Sequence, residues 1–232
     1  MPIKGRPLLD YWLQALMQSD FDKVYVNTHY LSDIVEDYLL QVRFRKWVIP
    51  IYEKNILGTA GAIRGVAAHL SGDSIFIAHA DNWCNIKINE FIANHVLAKR
   101  KGCLISIVTF ITEEPRNCGI CEISDGILAG FKEKDPRSQG NIANGAIYIF
   151  EPEVIEWITS NPNIIDISTQ VIPHYLGKIA VWKHNGYLRD IGNIQSLLKA
   201  QSDEVPVNIF KNEDWDLKYQ VSDICRAVKN LK

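Results

Sequence analysis

The segment Asn55–Ile63, "NILGTAGAI", places two glycines, two alanines and a threonine directly after the strand-like run "KWVIPIYEK". Such a low side-chain volume has two explanations. Either the backbone turns tightly into a packed helix, or a large flat ligand lies against it. In both cases a strand ends and a helix begins here, which is the repeating step of an α/β sheet.

Hydrophobic periodicity extends this alternation in both directions along the chain. Residues 31–41 predict a helix capped by Ser32, and "SIFIAHAD" (74–81) is an apolar run typical of the buried middle of a parallel sheet. "CLISIVTF" (103–110) predicts another buried strand. In "ISTQVIPHYLG" (167–177), the pattern predicts a helix that ends at the residue before Pro173. The other predicted helices are 7–19, 62–70, 88–101, 152–159 and 193–201, and the other strands are 21–28, 46–53, 118–124, 126–134, 143–150 and two within 179–192.

Composition restricts the class of protein. The 232 residues carry a net charge of -2, which argues against a nucleic-acid-binding surface. No apolar run reaches the roughly 20 residues of a membrane helix, and the amino terminus lacks the apolar core of a secretory signal. We expect one cytoplasmic domain, with a core at 1–200 and an extension at 201–232, that could form homo-oligomers.

Five scattered cysteines suit a reducing compartment better than a disulfide framework. "CGIC" (118–121) has the C-x-x-C spacing of redox and zinc sites. No second pair completes a four-ligand zinc site, and the flanking residues alternate like a strand. We therefore interpret Cys118 and Cys121 as structural residues.

Two carboxylates follow predicted strands at the edge where α/β sheets bind ligands. Asp81 ends "SIFIAHAD" and Asp190 ends "GYLRD". Together they could hold Mg²⁺, which takes one or two carboxylates plus substrate phosphate oxygens. Alternatively, both are turn or cap residues, because "DN" and "DIG" suit turns. Periodicity alone does not pair them.

Two further segments carry polar side chains that suit a ligand. "FKEK" places Glu133, an acceptor for hydroxyl groups, beside Lys134, a donor for phosphate. In "ANGAIYIF", Asn144 precedes a glycine that would let the backbone approach a ligand. On local grounds alone, a solvated charged turn is the favoured explanation of "FKEK", and a strand start with turn residues is the alternative for Asn144.

The order of these segments resembles the sugar-1-phosphate nucleotidyltransferases, and most closely the mannose-1-phosphate guanylyltransferase-like branch. The matching segments lie between Pro2 and about Ala200, and "LGTAGA" and "DIG" are the most specific of them. The resemblance implies an α/β, Rossmann-like (GT-A-like) fold with a mixed sheet flanked by helices. The matching segments are "PIKGRPLLDYWLQAL", "VYVNTHYLSDIVEDYL", "YEKNILGTAGAI", "HADN", "CGICEI", "FKEK", "NGAIYIFEPEV" and "YLRDIG".

The resemblance also implies roles for individual residues. Asp81 and Asp190 resemble the Mg²⁺ ligands, and Lys134 resembles the lysine that contacts the sugar phosphate. The residues that resemble the nucleotide-binding turn are Leu57, Gly58, Thr59, Ala60 and Gly61, and those that resemble the lining of the sugar site are Gly119, Glu133 and Asn144. The family often has "NGD" where this chain has His79, Ala80 and Asp81, and often an aromatic residue at position 118.

The implied reaction is attack by a sugar-1-phosphate oxygen on the α-phosphorus of a nucleoside triphosphate, with release of pyrophosphate, in nucleotide-sugar biosynthesis. GTP and mannose 1-phosphate are favoured by the resemblance to the branch. Such a transfer depends on alignment and charge neutralisation, which Mg²⁺ and Lys134 would supply with Asp81.

The family begins with a strand and a glycine-rich loop that this sequence does not contain before "MPIKGRPLL". We therefore expect the fold to lack its first strand and the 232-residue chain to be truncated and weakly active. A non-catalytic sugar-nucleotide-binding or regulatory paralogue is the alternative. A dinucleotide-dependent oxidoreductase has no support, because no G-x-G-x-x-G follows an early strand.

Overall fold

A computed structural model describes residues 1–19, 21–70, 72–207 and 209–231. None of the helices in these ranges has the length and apolar character needed to cross a membrane. The strands are β1 (Pro2–Ile3), β2 (Arg6–Pro7), β3 (Val24–Thr28), β4 (Val48–Tyr52), β5 (Ile75–Ala78), β6 (Asn82–Cys84), β7 (Ile105–Ile111), β8 (Gly119–Ser124), β9 (Ile127–Glu133), β10 (Ile142–Phe150), β11 (Ile179–Lys183) and β12 (Leu188–Asp190). The helices are α1 (Leu8–Met17), α2 (Ser32–Leu39), α3 (Thr59–Val66), α4 (Ile88–Lys99), α5 (Pro152–Ser160), α6 (Ile172–His174), α7 (Ile194–Ser202), α8 (Asp214–Gln220) and α9 (Asp223–Lys229), with a π-helical turn at Ile167–Val171.

The chain forms two compact units, each built from more than one stretch of sequence. The terminal unit contains Met1–Asn55, Ala80–Ile88 and Tyr187–Lys232. The central unit contains Ile56–His79 and Asn89–Gly186. The expected single domain, with its core at 1–200, stays a prediction.

The central unit is built on a six-stranded mixed sheet in the order β5-β10-β7-β11-β9-β8. Strand β10 runs antiparallel to β5 and β7, whereas β11 runs parallel to β7. The hairpin β8–β9 returns toward β10, because Ile120 of β8 is paired with Ala143 of β10. This additional pairing brings the start of β8 and the start of β10 together.

The core of the central unit is centred on β7 and β10. Ile105 and Ile107 of β7 and Tyr148 and Phe150 of β10 are fully buried, and α5 packs against them through Val154. Each aliphatic side chain of this kind contributes about 1.5–3 kcal/mol relative to an exposed one. The predicted buried strand at 103–110 is confirmed.

The position predicted for "SIFIAHAD" in the middle of a parallel sheet is wrong. Strand β5 lies at the edge of its sheet and is antiparallel to β10, with Ile75 opposite Phe150. Its four residues are half-buried. An apolar run shows that both faces of a strand are covered, and it does not show which strands are its neighbours.

Two helix boundaries also differ from their predictions. Ser32 does not cap α2, because Leu31 precedes the helix in the left-handed conformation (φ 55°) and Ser32 is already helical. The helix at 167–177 continues past Pro173. Here the π-helical turn ends at Val171 and Pro173 lies in the first turn of α6, where an α-helix does not need its N–H group.

The terminal unit contains the parallel pair β3–β4 and the antiparallel pair β6–β12. One core cluster is formed by Ile3, Tyr11 and Trp83, with α7 and α9 packed on it. A second forms around Leu13 and Phe44.

Residues beyond position 205 pack against this second cluster, through Phe210 and Trp215. The Gln14 side-chain amide forms two hydrogen bonds with the backbone of this part of the chain. Its Nε2 donates to Val207 O at 2.9 Å, and its Oε1 accepts from Ile209 N at 3.0 Å. The Arg43 guanidinium binds both carboxylate oxygens of Asp216 at 2.6 Å.

Arg43 lies in a charged cluster inside the same unit. Its Nη2 also approaches buried Asp10 at 3.4 Å, and Asp10 forms an ion pair with Arg6 and accepts from the Tyr38 hydroxyl. Burial is the largest influence on Tyr38 and raises the pKa of its hydroxyl, which therefore stays protonated. Because two arginines face two aspartates, the cluster is close to neutral, which limits the cost of burying it.

A buried polar cluster connects the helices of the central unit to its sheet. His95 of α4 contacts Ser106 Oγ through Nδ1 at 2.8 Å and Glu151 Oε1 through Nε2 at 2.7 Å. Ser74 donates to the same oxygen at 2.7 Å, and Lys99 forms an ion pair with the other. Burial alone would raise the pKa of Glu151, but these donors outweigh it and lower the pKa.

We predict that Glu151→Gln lowers the free energy of unfolding at neutral pH by about 2–3 kcal/mol, because it removes a buried charged acceptor from three donors. A carboxyl group whose pKa is depressed on folding stabilises the protein above its unfolded pKa and loses that effect as the pH falls. The stabilities of the two proteins, measured by urea unfolding, should therefore converge as the pH falls below 4.5, the ordinary value for glutamate. Glu156→Gln, at an exposed position of α5, is the control. A difference that is independent of pH would contradict this assignment.

Candidate functional site

Asp81 and Asp190 lie at neighbouring positions in the terminal unit. Strand β12 pairs with β6 so that Asp190 is opposite Asn82, and Ile191 N donates to Asp81 O at 3.0 Å. Both aspartates are exposed. The antiparallel pairing therefore brings two carboxylate-bearing residues from distant parts of the chain to one edge.

The surroundings of Asp190 leave room beside its carboxylate. Gly192 lies under it, and a Cβ atom there would be 2.9 Å from Asp190 Oδ1. The neighbouring Arg189 is turned to Asp203, with Nη2 2.6 Å from Oδ1, and Trp83 Nε1 donates to Asp203 Oδ2 at 2.8 Å. Glycine at 192 thus keeps open a space that any other side chain would narrow.

These residues fit a magnesium ion better than a transition metal. Carboxylate oxygens are hard ligands, and Mg²⁺ retains several waters and takes few protein ligands. Within the residues that the structure describes, no group of three or more His, Cys, Asp or Glu side chains is arranged to hold a metal. A two-carboxylate site completed by water and phosphate oxygens is consistent with that finding.

Packing within the protein explains the small residues of the segment Asn55–Ile63. Gly58 has φ +77°, and a Cβ atom on it would overlap the carbonyl oxygen of Ile165. The same carbonyl accepts from Ala60 N at 3.0 Å. At Gly61, a Cβ atom would be 2.8 Å from Cβ of Leu57. Of the two explanations for this segment, the tight turn into a packed helix accounts for both glycines.

The sequence-predicted sugar residues come together in the central unit. Gly119 of β8 is paired with Glu133 of β9, and the pairing of Ile120 with Ala143 places Asn144 beside Gly119. A Cβ atom on Gly119 would overlap the Phe131 ring and contact the Glu133 carboxylate. Glycine is therefore required here by its neighbours across the strand.

Glu133 is partly removed from water. Burial raises the pKa of its carboxyl group, Lys134 opposes this shift, and nearby Asp166 adds to it. The Lys134 ammonium lies 4.0 Å from Glu133 Oε1, and its side chain is 67% exposed, so it is accessible to an anion. Lys134 itself has φ 48°, a left-handed conformation that is uncommon outside glycine and is found often at functional sites.

Asn144 uses its amide within the protein. Strand β10 changes register between Asn144 and Tyr148, and Ala146 inside this bulge has φ 51°. Asn144 Nδ2 donates to the Tyr148 hydroxyl at 2.8 Å, and its Oδ1 accepts from Ala146 N at 2.8 Å. The amide braces the bulge, and direct contact with a sugar stays a prediction.

The two cysteines of "CGIC" differ in their surroundings. Cys121 is buried in the core of the central unit, and burial raises the pKa of its thiol to about 12. Cys118 is half-buried, with Sγ 3.6 Å from Thr112 Oγ1. Cys121 acts as a small apolar core residue because its thiol stays protonated.

Sequence reasoning missed Asp166, which touches the opening segment. Thr59 Oγ1 donates to Asp166 Oδ2 at 3.2 Å, and Thr169 N donates to Oδ1 at 2.7 Å. The signal was present in "DIST" (166–169), because Asp followed by Ser and Thr ahead of a helical stretch is a capping pattern.

A family model described as "Nucleotidyl transferase" matches residues 1–205. The mannose-1-phosphate guanylyltransferase catalytic subunit beta of Xenopus tropicalis is 26% identical over 218 residues, which cover 91% of this chain and 59% of that protein. A UTP–glucose-1-phosphate uridylyltransferase of Synechocystis is 27% identical over 177 residues, covering 69% of this chain and 45% of that protein. The chain thus spans about half the length of these curated relatives.

Solved structures establish the fold. HddC from Yersinia pseudotuberculosis, in complex with GMP-PN, superposes with a TM-score of 0.72 at 21% identity and covers 87% of each chain. The predicted fold class, a mixed α/β nucleotidyltransferase fold with helices flanking the sheet, is confirmed. The expected absence of a first strand stays a prediction.

We predict that Gly58→Ala lowers the free energy of unfolding by about 2 kcal/mol or more, because alanine resists a positive φ and its methyl group overlaps a backbone carbonyl. Gly65→Ala, at an exposed position in the last turn of α3, is the matched control and should raise the free energy of unfolding by about 0.5–1 kcal/mol. Chemical denaturation of the two variants checks this. Equal effects would show that the turn at Gly58 is not constrained by Ile165.

Proposed function

Because this chain belongs to the nucleotidyl transferase family, we propose that the protein joins a sugar 1-phosphate to a nucleoside triphosphate. A phosphate oxygen of the sugar 1-phosphate attacks the α-phosphorus, and the bond from that phosphorus to the oxygen bridging the β-phosphorus breaks. The products are a nucleoside-diphosphate sugar and pyrophosphate. The observation that supports this best is the placement of Asp81 beside the Asp190 strand.

Asp81 and Asp190 hold Mg²⁺ in this proposal. The ion, when bound, neutralises charge on the phosphate groups. Both side chains are exposed, and Gly192 leaves space beside Asp190. Asp81 and Asp190 thus orient the phosphates, and alignment of this kind contributes much of the rate in phosphoryl and nucleotidyl transfer.

Glu133 and Lys134 bind the sugar 1-phosphate. The Glu133 carboxylate accepts hydrogen bonds from sugar hydroxyl groups, and the exposed Lys134 ammonium binds the phosphate. Adjacent positions in sequence give the pair a fixed spacing, and the positive φ of Lys134 directs the chain away from the strand that ends at Glu133. Both side chains take their orientation from β9.

Leu57, Gly58, Thr59, Ala60 and Gly61 form the nucleotide-binding turn. Packing against Ile165 holds the turn in one conformation before any ligand binds, which reduces the entropy lost on binding. We assign GTP and mannose 1-phosphate as the first substrates to test, since the name of the Xenopus relative specifies both.

The direct test is a matrix of nucleoside triphosphates and sugar 1-phosphates with the purified protein, expressed from its complete reading frame and scored by pyrophosphate release with and without Mg²⁺. Mg²⁺-dependent release with at least one pair supports the proposal. Binding of a nucleotide sugar without turnover of any pair would support the non-catalytic alternative instead.

We predict that Asp81→Asn and Asp190→Asn each lower kcat/KM by about 10²–10³-fold, since either change removes one negative ligand from the ion. Asp33→Asn, at an exposed position in the first turn of α2, is the control and should leave kcat/KM unchanged. The measurement is initial pyrophosphate release across a Mg²⁺ titration. If the variants keep the wild-type Mg²⁺ dependence, Asp81 and Asp190 are not the metal ligands.

We predict that the affinity for the sugar 1-phosphate falls as pH decreases through the raised pKa of Glu133, because a protonated carboxyl group is a weaker acceptor. The decrease should occur above pH 4.5, the ordinary value for glutamate. In Glu133→Gln, this part of the pH dependence should be absent, and the part that comes from titration of the sugar phosphate should remain. KM for the sugar 1-phosphate, measured across pH for both proteins, checks the difference, and parallel profiles would contradict it.

A further inference from the structure

The π-helical turn at Ile167–Val171 and its cap, Asp166, contact the nucleotide-binding turn. Thr59 Oγ1 donates to Asp166 Oδ2 at 3.2 Å and accepts from Ile167 N at 2.8 Å. One hydroxyl therefore engages both the cap residue and the first backbone N–H of the π-helical turn. π-Helical turns are rare and occur frequently at functional sites.

Asp166 is held in place from its other side as well. Its Oδ1 accepts from Thr169 N and from Thr169 Oγ1, both at 2.7 Å. Burial alone would raise the pKa of Asp166, but these donors outweigh it and lower the pKa, so the group is ionised at neutral pH. An ionised acceptor with several donors has little freedom to move.

The same turn reaches the sugar-binding strand through Tyr148. The Tyr148 hydroxyl accepts from Asn144 Nδ2 at 2.8 Å, and the Ser168 side chain lies near enough to oppose the effect of burial on the Tyr148 pKa. Tyr148 is fully buried, and burial keeps the pKa of its hydroxyl above the ordinary value. A series of contacts thus runs from Thr59 through Asp166 and the π-helical turn to Tyr148 and Asn144.

We propose that Asp166, Ser168 and Tyr148 are positioning residues that hold the nucleotide-binding turn and the sugar-binding strand in one fixed arrangement. The inference rests on the proposed function and adds to it a dependence between the two substrate sites. Loss of one hydrogen bond loosens both ends of the series, because its members share partners. A change at Thr59 therefore weakens binding of the sugar 1-phosphate, and a change at Tyr148 weakens binding of the nucleotide.

The test uses conservative substitutions with matched controls. Thr59→Val removes the hydroxyl at nearly constant volume, and Thr59→Ser keeps it. Tyr148→Phe removes one hydroxyl from the core, and Tyr175→Phe does the same at another buried tyrosine of that core. Dissociation constants are measured by calorimetry for GTP alone and for mannose 1-phosphate alone, in Mg²⁺, with pyrophosphate release assayed in parallel.

We expect Thr59→Val and Tyr148→Phe each to weaken both ligands by about 3- to 10-fold, the effect of losing one typical hydrogen bond. Thr59→Ser keeps the hydroxyl and should therefore bind both ligands more tightly than Thr59→Val does, and Tyr175→Phe should stay within about twofold of wild type. The decisive measurements are the affinity of Thr59→Val for mannose 1-phosphate and the affinity of Tyr148→Phe for GTP, because a purely local role of either residue would leave these affinities unchanged. Thermal unfolding identifies any variant that does not fold. If Thr59→Val does not fold, the GTP affinity of Tyr148→Phe decides whether the two substrate sites are coupled.

The outcomes separate the inference from the function on which it rests. If wild-type protein releases pyrophosphate and each variant weakens only the ligand at its own end, or neither ligand, the coupling is overturned and the proposed function stands. If wild type neither binds nor converts any substrate pair, the proposed function fails and the inference falls with it.

Discussion

The pairing of β10 with three other strands is the interaction on which the central unit depends. β10 pairs with β5 and β7 along its length and with β8 near its start, so it joins the edge strand, the buried centre and the β8–β9 hairpin. The register change between Asn144 and Tyr148 is what lets one strand serve these neighbours. A bulge of this kind bends a strand and redirects its side chains. The Asn144 amide completes the bulge, which explains a polar residue at the start of an apolar strand.

The small-residue segment after β4 shows how a packing requirement and a binding requirement can coincide. Gly58 and Gly61 are needed because Ile165 and Leu57 occupy the space that a side chain would take. A turn held this closely has one conformation, and such a turn is also a good support for a flat ligand. The two explanations offered by the sequence are therefore compatible, although packing alone suffices for the glycines.

Much of the fold could be predicted because periodicity and residue type report local structure well. The helices α1, α4 and α5 and the strands β7 and β10 lie where their hydrophobic patterns placed them. The position of β5 was predicted wrongly because an apolar run is the same at the edge and in the middle of a covered sheet. The proximity of Asp81 to Asp190 was not available from periodicity either, since it depends on how β6 and β12 pair. The capping pattern "DIST" was present in the sequence, but the contact of Asp166 with Thr59 joins residues 107 positions apart and is visible only in the tertiary structure.

The family match ends at residue 205, but the terminal unit does not end there. The Arg43 guanidinium binds Asp216, and Gln14 holds the backbone at Val207 and Ile209, so side chains near the amino terminus complete their hydrogen bonds only with residues beyond the match. Cutting the gene at the end of the family match would remove Asp216 and leave Asp10, at 3.4 Å, as the carboxylate partner of the Arg43 guanidinium. The end of the family match therefore lies inside a hydrogen-bonded part of the terminal unit.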